Sequence, residues 1–212
     1  VEALAAAIAE EVPEIKPWIV VGHSAGVVDV LHFLHEYPGL APRVAAVVSL
    51  AGAVNGSPLV DAAAAPPTTS AGILPLSSCL LERAPGAESL HTSARLDWLR
   101  THRLPSTIPL FSLVAFTDAQ SMSGPLRKSA ATLAQIDPRN DGQLLHYDQV
   151  LPGSTLLGYA NADHWGVAIP IEELRPAVAA LVTGHNRFPR AALLEAILLY
   201  VAEAIAPGER LH

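Results

Sequence analysis

Short continuous apolar runs alternate along this chain with stretches whose polar positions recur at helical spacing. The runs "WIVVG" (18–22), "RVAAVVSLAG" (43–52), "IPLFSLVAFTD" (108–118) and "STLLGYANADH" (154–164) are the pattern of strands buried on both faces of a parallel sheet. From Ala25 to Tyr37 the polar residues Asp29, His32 and Glu36 fall at i, i+3 and i+7 while valines, leucines and Phe33 fill the rest. This predicts a mostly buried helix with one wet stripe, stopped by Pro38. The opening "VEALAAAIAEEV" predicts a helix before the loop punctuated by Pro13 and Pro17, and "SLHTSARLDWLRTH" (89–102) and "AALLEAILLYVAEAIA" (191–206) predict two more. Strands alternating with helices make an α/β fold with a mostly parallel sheet flanked by helices. Between the second and third strands an Ala/Pro/Ser/Gly-rich excursion, 53–90, is expected to form, with the helix that closes it, a cap-like insertion at about 53–104 that shapes a pocket. No internal repeat is evident, and the Ala/Pro tract 62–67 reads as a biased loop, so 1–212 is read as one domain.

Composition narrows the class. A chain of 212 residues with 50% hydrophobic and 16% charged positions builds one sizeable core, which excludes disorder. Thirteen Lys+Arg against twenty Asp+Glu, with no basic cluster interleaved with aromatics, exclude nucleic acid as a partner. Cys79 is the single cysteine, so no intrachain disulfide or thiolate cluster can form; it is expected to be buried, and it leaves secreted and cytosolic compartments both open. The run 191–206 is too short to span a bilayer and carries Glu195 and Glu203 about 80° apart on a helical wheel, which predicts an amphipathic surface helix and no transmembrane segment. The chain opens at Val1 directly on a helical pattern, without an initiator methionine or a basic n-region, and is read as a piece of something longer.

The chemistry concentrates in "IVVGHSAGVV", 19–28. A serine hydroxyl becomes a useful nucleophile when a sharp turn exposes it to a base and places backbone N–H groups to receive an oxyanion. Gly22 and Gly26 flank Ser24 by two residues on either side, where tight strand–turn–helix packing is expected to leave no room for a side chain. The N–H of Ala25, at the start of the predicted helix, is then aimed at the oxyanion. The alternative is an ordinary strand-to-helix turn that happens to contain Ser24; the strand before it and the helix after it favour a nucleophile elbow.

With this motif in this context the chain resembles the α/β-hydrolase superfamily, and the resemblance implies a triad in the order serine, acid, histidine. Of nine histidines, His32 and His35 lie on the helix after the elbow, His91 and His102 on a surface-like helix, His185 and His212 near the end, and His23 within the motif, where it is expected to pack beside the elbow. His164, in "NADHWGVAIP" after the last apolar strand, stands where the resemblance places the base. Two of the eight aspartates between Ser24 and His164 are serious candidates for the acid. Asp118 ends a strand, where many members of the superfamily carry their carboxylate. Asp141 sits in an Asn-Asp-Gly turn. The stretch "RNDGQLLHYDQVLPGSTLLGYANADHW" is similar to the region of bacterial triacylglycerol lipases and esterases where such a loop supplies the acid and an Asp-His pair supplies the base, and "SLAGAVNGSPLVD" (49–61) is similar to another of their loops. The resemblance therefore favours Asp141, with Asp118 as the alternative and Asp148 or Asp163 behind them; without a further role these would be turn residues.

Two features depart from that branch. It commonly holds calcium partly through an aspartate two residues beyond the catalytic histidine, whereas this chain has Gly166 there, so no metal and no cofactor are expected. The earlier loop that supplies a second oxyanion donor, often in a His-Gly context, has no counterpart: the fold is expected to be N-terminally incomplete, or its oxyanion hole is built in another way. The resulting expectation is a lipase- or esterase-like serine hydrolase cleaving a small ester or lipid-like substrate through an acyl-enzyme, with Ser24 as nucleophile, His164 as base and Asp141 orienting it. An acyltransferase or thioesterase with the same triad, and a hydrolase-fold protein that binds without turnover, are the alternatives, and nothing in the chain specifies an oligomeric state.

Overall fold

The computed structural model describes residues 1–10, 17–64, 87–174 and 188–206. The expectations for Pro13, Cys79, His185 and His212, and for the middle of the insertion at 65–86, lie outside these residues. In chain order the helices and strands are α1 (Glu2–Glu10), β1 (Trp18–Ser24), α2 (Ala25–Glu36), β2 (Val44–Gly52), α3 (Pro58–Ala64), α4 (Thr92–Thr101), β3 (Leu110–Phe116), α5 (Arg127–Leu133), β4 (Thr155–Asn161), α6 (Ile171–Leu174) and α7 (Arg190–Ile205). The four strands form one parallel sheet in the order β1-β2-β3-β4, with Gly22 opposite Ser49, Val48 opposite Phe111 and Ser112 opposite Leu156. Every strand therefore points the same way, and the loops after β1, β2, β3 and β4 gather along one edge, where open α/β sheets build their sites.

The two faces of the sheet are covered by different helices because side chains alternate along each strand. Val47 shares one core with Val30, Leu31, Phe33 and Leu34 of α2 and with Ala5 and Ile8 of α1. On the other side Ala46, Val48 and Leu50, with Phe111, Leu113, Ala115 and Ala160, pack against Ile197 and Val201 of α7. The wet stripe expected on α2 is present: Asp29 and Glu36 are exposed and His32 half-buried. On α7 the covered stripe is narrow, Leu193, Ile197, Val201 and Ile205 at successive i+4 positions, while Glu195, Glu203 and also Leu199 and Tyr200 are exposed. Among the described residues no helix is long and apolar enough to cross a membrane.

β2 and β3 are buried along almost their whole length, as expected for strands covered on both faces. β1 differs from expectation: apart from Gly22 its residues are only half-buried. Among the described residues β1 lies at one end of the sheet, and none pairs with its outer side. Its Ile19 and Val21 instead line an apolar cleft of about 610 Å³ with Leu50, Val167, Leu194 and Leu198. β4, at the other end of the described sheet, departs further from expectation: only Ala160 is buried, and Leu156 and Tyr159 are exposed, because no described strand covers its outer side.

Phe33 is fully buried between α2 and the sheet, so Phe33→Ala should lower unfolding free energy by about 3–5 kcal/mol. Leu199→Ala, on the open side of α7, should change it by no more than about 0.5 kcal/mol. Denaturant titration of both variants measures the difference.

Candidate active site

Ser24 ends β1 and immediately precedes the first residue of α2. Its backbone is at φ 56°, ψ −128°, a conformation that a residue with a Cβ adopts at a cost of about 1–3 kcal/mol. Close packing around the turn fixes it. A Cβ on Gly22 would lie 2.9 Å from the backbone N and Cα of Val27, in the first turn of α2, and one on Gly52 at the end of β2 would lie 2.5 Å from the Val27 side chain and 2.4 Å from Ser49 Oγ. The carbonyl of Ser24 accepts a 3.0 Å hydrogen bond from Ala53 N–H. Gly26 departs from expectation: a Cβ there would meet nothing within 4 Å, because the residue faces outward on the first turn of α2. The tight approach falls on Gly22 and Gly52 instead.

The loop after β4 carries His164 back to this turn. Its Nε2 lies 2.8 Å from Ser24 Oγ and its Nδ1 lies 2.7 Å from Asp141 Oδ2. With the carboxylate accepting, Nδ1 carries the proton and Nε2 is free to accept from the serine hydroxyl. Backbone bonds reinforce the contact, since His164 N–H donates to Asp141 O at 2.8 Å. Asp141 is fully buried and its oxygens accept four hydrogen bonds: Oδ1 from the N–H groups of Gln143 and Leu144, Oδ2 from His164 and, at 3.4 Å, from Gln149 Nε2. Gly142, at φ +92°, makes the reversal that brings those two N–H groups back onto Asp141, and its own N–H donates to Asn140 Oδ1.

The other candidate acids are engaged elsewhere. Asp118 is exposed and closes its own turn, accepting from the N–H groups of Gln120 and Ser121. Asp163 is buried and accepts from Trp165 N–H and Gly166 N–H through Oδ1 and from Ser123 N–H through Oδ2, so it braces the loop that carries His164. Asp148 is buried beside Asn55. Burial pushes its carboxyl up to about 6, with a side-chain hydrogen bond from Asn55 opposing and the charge of Asp61 adding.

The remaining described histidines have partners of their own. His32 meets Glu36 and stacks on Trp98, His35 and His102 pack edge to face, His91 faces Asp61, and His146 lies near Asp137 and Phe116. His23 packs beside the elbow, as expected, and burial followed by the neighbouring His164 lowers its pKa to about 4. Among the described residues no group of three or more His, Cys, Asp or Glu could hold a metal ion.

Gln149 was not foreseen. Its fully buried side-chain amide accepts from Ala115 N–H and donates to Ala115 O, within β3 beyond the last β2–β3 pair, Leu50 opposite Leu113, while reaching Asp141. A glutamine in "HYDQVLPG" carries no sequence pattern that marks such a role.

Two predictions follow from these packing and charge arrangements. Gly22→Ala forces the start of α2 outward and should cost about 1–3 kcal/mol of stability, whereas Gly26→Ala should leave stability unchanged or raise it by up to about 1 kcal/mol through helix propensity. Denaturant titration compares them. Because the folded state raises the Asp148 pKa, that group's contribution is fully present below about pH 4 and is lost as pH rises through about 6. Relative to Asp148→Asn, the protein should therefore lose on the order of 2–3 kcal/mol between pH 4 and pH 8, read from unfolding curves at both values.

No protein-family model matches the chain, and no curated protein matches it. Among solved structures it is similar to a metagenomic carboxyl esterase, MGS0156, with a TM-score of 0.80 and 39% identity over 96% of this chain and 61% of that one. It is also similar to Bacillus licheniformis lipase BlEst2 in its mature form, with a TM-score of 0.59 and 23% identity over 79% of this chain and 66% of that one. The propeptide form of that lipase gives 0.57 and 22% over 81% and 37% of the two chains; both lipase likenesses bear on the fold alone. The chain thus spans 61% of the length of the carboxyl esterase. Its fold is of the α/β-hydrolase type, a parallel sheet flanked by helices, and is similar to that of the carboxyl esterase.

Proposed function

We propose that the protein hydrolyses a carboxylic ester through an acyl-enzyme formed on Ser24. The observation that carries this reading is the unbroken hydrogen-bonded line from Asp141 Oδ2 through both ring nitrogens of His164 to Ser24 Oγ, on a strained strand-to-helix turn. The carboxyl esterase among the similar structures supports the same reaction class.

In this reading Ser24 Oγ attacks the ester carbonyl carbon while His164 Nε2 takes the hydroxyl proton. The negative charge that develops on the carbonyl oxygen is met by the N–H of Ala25, among the first amides of α2, which lack an intrahelical acceptor. Asp141 holds the imidazole in the Nδ1–H tautomer and stabilises the imidazolium that forms. Collapse of the intermediate breaks the ester C–O bond, and His164 returns its proton to the departing alcohol oxygen. Water then attacks the acyl carbon, His164 again taking and returning one proton, and the acid leaves Ser24 free.

The insertion at about 53–104 is proposed to shape the substrate side. Its described ends support this: Val60 and Leu90 pack with Ala25, Val28, Ala53 and Leu144, beside the elbow and the acid loop. Asp61 in α3 ties to His91 and Thr92 at the start of α4. An apolar flank there suits a small ester or lipid-like substrate.

Steady-state hydrolysis of a chromogenic short-chain ester by the full chain tests the reading. Asp141→Asn should lower kcat by about 10⁴ by presenting the wrong imidazole tautomer, and Ser24→Ala should abolish turnover above that residual level. Asp118→Asn, which touches only its own turn, should stay within about threefold of the parent protein. Equal losses at Asp118 and Asp141, or turnover that survives Ser24→Ala, would overturn it.

A further inference from the structure

His164 has four polar groups, and all four are engaged: its N–H and Nδ1 by Asp141, its Nε2 by Ser24, and its backbone carbonyl by a group outside the proposed triad. That group is His23, whose Nε2 lies 2.9 Å from His164 O. A carbonyl can only accept, so the His23 Nε2 carries a proton. The two imidazole rings are 4.8 Å apart at 37°. His23 and Ser24 are adjacent, and side chains alternate in direction along a strand. The end of β1 thus grips the same histidine at two points, its ring through Ser24 and its backbone through His23.

We propose that His23 is a positioning residue for His164, holding the base over Ser24 by donating its Nε2–H to the His164 carbonyl while remaining an uncharged imidazole. This rests on the acyl-enzyme reading above and names a residue that reading does not use. The geometry gives both halves of the role. Without the His23 donor, the His164 carbonyl loses its bond to β1, and the loop after β4 keeps its ties to Asp141, to the Ser24 hydroxyl, to the Ser123 segment through Asp163 and to Arg190 through the Gly166 carbonyl. A charged His23 would stand one ring away from the imidazolium that forms on His164 in each proton transfer, and would oppose it. Burial and the proximity of His164 both favour the neutral form; the hydrogen bond to the His164 carbonyl and, after it, the Asp141 carboxylate beyond His164 favour the charged form and are outweighed. Glu173 and Arg190 line the same cleft as His23, carrying one charge of each sign.

Two measurements on the full chain test this. In kinetics, His23→Phe keeps an aromatic ring but no donor, and His23→Gln places an amide N–H near the position of Nε2. The Phe variant should lose tenfold or more in kcat with KM within twofold, and the Gln variant should recover to within about threefold of the parent. Equal kcat in the Phe and Gln variants, whether high or low, would overturn the proposal, while turnover in the parent would leave the acyl-enzyme reading standing. Parent protein without ester turnover would instead count against that reading. The second measurement needs no variant: nitrogen–proton NMR correlations of the imidazoles should show His23 protonated at Nε2 alone and unchanged from pH 5.5 to 8. A His23 protonated at Nδ1 alone, or one that titrates within that range, would overturn the proposal even if the kinetic variants fail to fold.

Discussion

The strained backbone of Ser24 is the constraint on which the rest of the site depends. A conformation that costs about 1–3 kcal/mol persists only where surrounding structure over-determines it. Here the surrounding structure is the buried face of α2, whose Val27, Val28, Val30, Leu31, Phe33 and Leu34 hold the helix against the sheet at a fixed height. Gly22 and Gly52 let that helix approach both β1 and β2 more closely than any side chain would permit, and Ala53 N–H closes the turn from the neighbouring strand. Hydrophobic burial of α2 thus sets the direction in which one hydroxyl points.

A parallel sheet with its strands in chain order supplies the remaining geometry. Each strand ends on the same edge, so the elbow after β1, the loop carrying Asp141 between β3 and β4 and the loop carrying His164 after β4 meet there. What joins them is polar and almost wholly buried. Asp141 links its own turn, the Gln149 amide and His164, while Asp163 links the histidine loop to Ser123. Networks of this kind define one geometry when each member is satisfied, and they are costly when one member is removed.

Much of this was legible along the chain, for reasons that differ by element. The four strands and α2 were legible because each strand is a short continuous apolar run, which burial on both faces demands of β2 and β3, and because burial of a helix demands a wet stripe at helical spacing. The neighbourhood of Ser24 was legible because a strand-to-helix turn with flanking glycine is a local pattern. The glycine roles were only half readable: Gly22 meets Val27 as expected, but the second close approach belongs to Gly52, distant in sequence, and Gly26 meets nothing. The half-buried β1 could not be foreseen, since an apolar run does not say which neighbours cover it. Residue pattern alone left Asp141 and Asp118 both open, the resemblance favoured Asp141, and it is the path of its loop that brings Asp141 to His164. Gln149, and the reach of His23 to the His164 carbonyl, are tertiary facts with no periodicity to betray them.

The central claim is that Ser24 is a nucleophile activated by His164. Its most direct test is covalent: exposure of the full chain to a fluorophosphonate, followed by intact-mass and peptide mass spectrometry. The account predicts a single phosphonyl adduct on Ser24, formed in the native protein and lost after unfolding or in a His164→Ala variant. An adduct on any other residue, or labelling of Ser24 that proceeds equally well without His164, would contradict it.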